Sequence, residues 1–159
     1  MIRILVVGDS FGVSRGLQLR LAAEQDLAVI GTATDSCAAL SLATALQPDV
    51  VVMDVDTPLL DGLGLVRAMR DACPGASIVV LSLQDDILAS HLAECAGAAA
   101  FVAKSMPDMS LLKAIRAVEK HRIPAGDRIR GSADLGWDSS ALPPDDVRGT
   151  GWAPAWGPT

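Results

Sequence analysis

Five short runs of Val, Ile and Leu, separated by segments of helical length, occupy the first 123 residues and leave few folds open. The runs are Ile4 to Val7, Ala28 to Gly31, Val50 to Met53, Ile78 to Leu81 and Ala100 to Val102. A strand that is apolar at consecutive positions needs cover on both faces, which is the condition of a parallel sheet. Between the runs, apolar residues recur at helical spacing: Val13, Leu17 and Leu21, then Leu40, Ala43 and Leu46, then Leu65, Ala68 and Met69. Ile87, His91, Leu92 and Cys95 predict a fourth face, with His91 packed inward, and Leu111, Leu112, Ile115 and Val118 a fifth. Ser10, Ser36 and Asp85 are the expected openings of the first, second and fourth helices, and Pro107 sits in the first turn of the last. Pro48 and Pro74 end the second and third, because proline breaks the helical ladder. The pattern predicts an α/β domain, a (βα)5 doubly wound parallel five-stranded sheet of flavodoxin-like type, with the first, third and fourth strands most deeply buried.

Residues 124–159 are a different polymer. They hold six glycines and five prolines, include Pro143-Pro144, and carry all three tryptophans, Trp137, Trp152 and Trp156. Such a stretch buries too little surface to offset its ordering entropy, so the expectation is a domain over 1–123 and a flexible, disordered tail over 124–159. The charge of −6, from 19 acids and 13 bases, argues against direct binding to nucleic acid. No apolar run is long enough for a signal-peptide core or a membrane span, which predicts a cytoplasmic location. Cys37, Cys73 and Cys95 lack metal-ligand spacing and read as reduced, mostly buried filler.

In doubly wound sheets, ligands collect beyond the carboxyl ends of the strands where the strand order reverses. That rim is expected to carry Gly8-Asp9-Ser10, Asp54 to Pro58, Ser82 to Asp86, and Ala103-Lys104-Ser105. Two carboxylates a few ångströms apart repel by about 4 kcal/mol at an effective dielectric of 20, so Asp9 and Asp54 invite a hard divalent cation, and Mg2+ suits two carboxylates plus water. With Asp54 as a carboxylate nucleophile towards a phosphoryl donor, Lys104 and Ser82 supply an ammonium and a hydroxyl for the charge that spreads over the transferred group. Each residue also has an ordinary structural use. Asp54 can cap the next loop, Lys104 can be a surface loop lysine, and Ser82 and Phe101 are common packing choices at strand ends. His121 is expected to cap the last helix at the negative end of its dipole.

Four separated pieces in order resemble the response-regulator receiver domains, the CheY-like phosphoacceptors of bacterial two-component signalling: Asp9, the run Asp54-Val-Asp-Thr-Pro-Leu-Leu-Asp61-Gly62, Ser82, and Phe101-Val-Ala-Lys104-Ser-Met-Pro107. The resemblance covers Ile2 to about His121. It implies that Asp54 is the phosphorylated aspartate, that Asp9 is a direct Mg2+ ligand, and that Asp56 lends its backbone carbonyl to the metal. Lys104 then corresponds to the phosphate-binding lysine, Ser82 to the switch hydroxyl and Phe101 to the aromatic that moves with it. The implied chemistry is limited to the domain's own phosphorylation and dephosphorylation. A sensor histidine kinase is the implied donor, and the output is a downstream protein or a homodimer through the face of helix four, strand five and helix five. Ala114 to Val118 resembles the NarL/FixJ subgroup, whose receivers usually precede a DNA-binding domain; here residues 124–159 stand in that place, and a single-domain regulator is expected.

One departure bears on the chemistry. Receivers typically carry two adjacent acids after the first strand, whereas this chain has Gly8-Asp9, which removes one negative charge and weakens metal binding. Gly8 thereby keeps open a pseudo-receiver regulated by a partner or ligand without phosphate. Gly8-Asp9-Ser10 is also similar to the opening of GDS-type esterases, with Ser10 as nucleophile. That reading lacks its base, because neither His91 nor His121 has an aspartate three residues earlier. A flavodoxin-like nucleotide binder, in turn, would have Asp9 where its phosphate should sit.

Overall fold

The computed structural model describes residues 1–55, 62–84 and 87–122. Five strands, β1 (Ile2–Val7), β2 (Leu27–Ala33), β3 (Val50–Asp54), β4 (Ser77–Ser82) and β5 (Ala100–Ala103), alternate with five helices. These are α1 (Phe11–Ala22), α2 (Ser36–Leu46), α3 (Gly62–Ala72), α4 (Ile87–Ala96) and α5 (Asp108–Lys120). The strands form one parallel sheet in the order β2-β1-β3-β4-β5, so the order reverses between β1 and β3. The (βα)5 expectation is met, and each strand includes its predicted run. β1, β3 and β4 carry the longest buried stretches, as expected of strands whose both faces are covered.

Right-handed crossovers explain where the helices lie. The chain moves one way from β1 to β2 and the other way from β2 through β5, so α1 covers one face and α2, α3 and α4 the other, and α5, after the last strand, packs on the α1 face with Leu112 and Ile115 in the core that holds Leu21. Alternate residues of each strand feed the two cores. Ile4, Val6, Val50, Val52, Val79 and Leu81 meet Leu21, Leu112 and Ile115, while Leu5, Val7, Val51, Met53, Ile78 and Val80 meet Ala43, Val66, Met69 and Ala93.

Several local expectations are corrected. The side-chain cap of α2 is Asp35, whose Oδ1 accepts the Ala38 N–H at 2.8 Å; Ser36 is the first helical residue. Pro107 is the cap of α5 and lies just ahead of its first turn. Asp85 lies outside the described residues, as does the whole segment 124–159. Cys73 is buried, and burial pushes its thiol up, but Cys37 and Cys95 are exposed. His121 does cap α5, with Nδ1 2.9 Å from the Ala117 carbonyl oxygen.

The largest correction concerns α4. Ala93 and Ala96 are its buried residues, whereas Ile87 is 90 % exposed, and Leu88, Leu92, His91 and Cys95 are also exposed. His91 Nε2 lies 3.7 Å from Cys95 Sγ on that outer surface instead of packing inward. Small alanines let the helix sit close to the sheet, and the large apolar side chains are left outside.

Charge ties α5 to the turn between α1 and β2. Arg116 donates from Nε and Nη2 to the two oxygens of Asp26, both at 2.8 Å, and from Nη2 to Glu24 Oε2 at 2.8 Å. Hydrogen bonds from this guanidinium hold both carboxyls below their usual range, with Arg20 adding to the effect on Glu24. A depressed folded-state value means the pairs stabilise the fold above the ordinary carboxylate range and lose that effect as acid protonates them. The Arg116→Ala variant should therefore unfold at lower urea than the parent at pH 7, with the gap closing as the pH is lowered below about 4. Ile115→Ala, at a fully buried position of α5, should cost about 2–5 kcal/mol in the same measurement at every pH.

Candidate functional site

The carboxyl ends of β1, β3, β4 and β5 lie side by side, because the pairing continues in register almost to the rim: Val7 with Met53, Asp54 with Leu81, and Ser82 with Ala103. Beyond the last paired residues, Val55 N–H donates to the Leu81 carbonyl at 3.1 Å, and Lys104 N–H to the Ser82 carbonyl at 2.7 Å. These bonds carry the strand geometry one residue further and fix the main chain from which Lys104 leaves. Val55 is fixed from its other side as well: a Cβ on Gly62 would come within 2.7 Å of Val55 Cβ, so the start of α3 closes on the end of β3 only because residue 62 is glycine.

Asp54 is 2 % exposed, and Lys104 reaches it across β4. The Lys104 Nζ donates to both carboxylate oxygens at 2.7 Å, with the lysine side chain 21 % exposed. A buried carboxylate remains ionised only with compensation of this kind. Ser82 is 3 % exposed and lies next to this pair; its Oγ accepts the Gln84 N–H at 3.1 Å. Phe101, on β5 opposite Val80, is half-buried against the core on the α2–α4 face. Asp9 is half-buried two residues past the end of β1. Asp9, Asp54, Ser82 and Lys104 thus stand at or just past neighbouring carboxyl strand ends, Phe101 lies earlier in β5, and Lys104 and Asp54 are in direct contact. Asp56 lies outside the described residues.

Ser10, the esterase nucleophile of the rival reading, is exposed and makes no side-chain cap to α1, while both histidines are on exposed helix surface at α4 and the end of α5. The described residues assemble no hydrolytic triad around it. What sequence reasoning missed is Ser14, a buried hydroxyl that donates to the Gly8 carbonyl at 3.2 Å. Its only signal in the sequence is a serine on the face of α1 that otherwise carries Leu17 and Leu21.

The donors fit a hard cation. Among the described residues no group of three or more His, Cys, Asp and Glu side chains could hold a metal, and the oxygen donors they place at the rim are the two carboxylates Asp9 and Asp54. That is the usual complement for Mg2+, which is commonly held by one or two carboxylates and otherwise keeps its waters. Gly8 lies against Asp54: a Cβ there would stand 3.3 Å from Asp54 Cβ and 4.0 Å from Oδ2.

The response regulator receiver domain model matches residues 4–116. A protein-glutamate methylesterase/protein-glutamine glutaminase of Pseudomonas fluorescens Pf-5 is 36 % identical over 110 residues, which are 69 % of this chain and 30 % of that protein. A namesake from Pseudomonas aeruginosa gives the same figures. The chain thus spans less than a third of these curated relatives. Among solved structures, the response regulator domain of Thermotoga maritima CheB superposes with a TM-score of 0.69 at 27 % identity, covering 76 % of this chain and 97 % of that one. The receiver domain of NarL from Mycobacterium tuberculosis superposes equally well, at 30 % identity over 76 % of this chain and 98 % of that one.

Removing the ammonium from a buried carboxylate is expensive, whereas removing both charges is not. In metal-free buffer, Lys104→Met should lower the free energy of unfolding by about 3 kcal/mol, and the double variant Asp54→Asn with Lys104→Met should recover most of that loss, as read by urea denaturation.

Proposed function

The chain belongs to the response regulator receiver domain family, and from that premise we propose that it accepts a phosphoryl group on Asp54 from a sensor histidine kinase and passes the signal on through a protein contact. The single observation that carries this reading is a buried carboxylate at the switch point of the sheet, held by one lysine on both of its oxygens. In the transfer, an Asp54 oxygen attacks phosphorus, the bond from phosphorus to the donor breaks, and the donor leaves with the bonding electrons. Lys104 moves from the carboxylate to a phosphoryl oxygen, and the Ser82 hydroxyl donates to another. Asp9 and Asp54, with the Asp56 carbonyl, are the residues that would hold Mg2+, which when bound neutralises charge on the transferred group. Phe101 follows Ser82 as that hydroxyl turns to the phosphate, which couples the site to β5.

Surface chemistry supports a macromolecular donor and a protein output. A cleft of about 280 Å³ between α1 and α5 reaches Lys104, and its lining includes the exposed Val13 and Met106. On α4, the exposed Ile87, Leu88 and Leu92 form the apolar part of the α4, β5 and α5 face proposed for output or for a homodimer. The domain is assigned to 1–123, in keeping with the compact unit Met1–Ala125. A bacterial cytoplasmic setting is part of the same proposal, supported by the bacterial sources of the matched relatives; no helix among the described residues is long and apolar enough to cross a membrane.

Acetyl phosphate with Mg2+ should add the mass of one phosphoryl group to the protein, and none to the Asp54→Asn variant, in intact-mass measurement. A parent protein that gains no mass would leave the pseudo-receiver reading, which Gly8 favours, as the better account.

A further inference from the structure

Serine is usually a surface residue, yet Ser14 in the first turns of α1 is only 7 % exposed. Its Oγ–H donates to the Gly8 carbonyl at 3.2 Å, and the Gly8 N–H donates to the Ala33 carbonyl at 2.9 Å. Both polar groups of the buried Gly8 are therefore tied, one to β2 and one to α1. A peptide unit is planar, so a fixed Gly8 carbonyl also fixes the N–H and Cα of Asp9, the residue that follows. Gly8 and Ser14 fit each other closely as well. A Cβ at position 8 would lie in ordinary contact, 3.4 Å, with Ser14 Oγ and slightly closer, 3.3 Å, to Asp54 Cβ.

We propose that Ser14 is a positioning residue for cation binding: its hydroxyl holds the main chain from which the Asp9 carboxylate leaves, in a site where Gly8 supplies no acid of its own. The inference rests on the reading of Asp9 and Asp54 as the Mg2+-binding pair. A site with one acid fewer depends more on the placement of those that remain. A hydrogen bond one step behind a ligand is commonly worth 10- to 100-fold in metal affinity.

The test is a Mg2+ titration without phosphodonor, followed through the Asp9 and Asp54 amide resonances of the full chain, with unfolding midpoints taken on the same samples. Ser14→Ala should weaken Mg2+ binding by about tenfold and shift the Asp9 amide before metal is added. Ser14→Cys, close in volume and only a weak donor, should weaken it in the same direction and serves if the alanine variant does not fold. Ser14→Thr, which keeps the hydroxyl, should bind Mg2+ more tightly than Ser14→Ala. A Mg2+ affinity unchanged in Ser14→Ala and Ser14→Cys, or a threonine variant no better than alanine, would overturn the positioning role while leaving the Asp9–Asp54 pair intact. A parent protein that binds no Mg2+ would instead remove the pair itself, and this inference with it.

Discussion

A carboxylate at 2 % exposure, held on both oxygens by a lysine from another strand end, is the constraint around which the rest of this domain is arranged. The order β2-β1-β3-β4-β5 puts Asp54 on the central strand, and the bond from Lys104 N–H to the Ser82 carbonyl sets the distance at which the ammonium can meet it. Desolvation works against such a pair, so it is weak evidence for stability. On the proposed reading its value is chemical: the lysine already stands where phosphoryl transfer to Asp54 would increase negative charge.

Site charge distinguishes this chain from the usual family pattern of two acids after the first strand. With Gly8 there, the described residues place the Asp54–Lys104 pair and Asp9 at neighbouring strand ends with one acid fewer. Gly8 packs against Asp54 and Ser14 at the β1–α1 corner. A hydroxyl takes up the buried carbonyl that the corner leaves, without adding charge.

Much of this was legible in the sequence. The five strands were readable because a sheet covered on both faces leaves continuous Val, Ile and Leu runs, and the places of Asp9, Asp54, Ser82 and Lys104 were readable because each follows such a run, with Phe101 inside the last. Helix faces were harder. On α5 the large residues Leu111, Leu112, Ile115 and Val118 are all buried, as the spacing predicts. On α4 the same rule chose the wrong side, since Ala93 and Ala96 make the contact and Ile87 and Leu92 do not. Periodicity reports that a helix has two faces; only packing reports which one is needed, and small residues win where a helix approaches the sheet closely. Caps erred by one residue where two candidates were adjacent, as with Asp35 and Ser36. Ser14 was illegible because its role depends on a carbonyl six residues away that only the folded turn brings to it.

Beryllofluoride, a tetrahedral stand-in for a phosphoryl group on a carboxylate, addresses the central claim most directly. Added with Mg2+ to the isotopically labelled protein, it should shift the amide resonances of Asp54, Ser82, Phe101 and Lys104 together and saturably, and leave those of the Asp54→Asn variant unmoved. A spectrum in which these four resonances stay where they were would contradict the account.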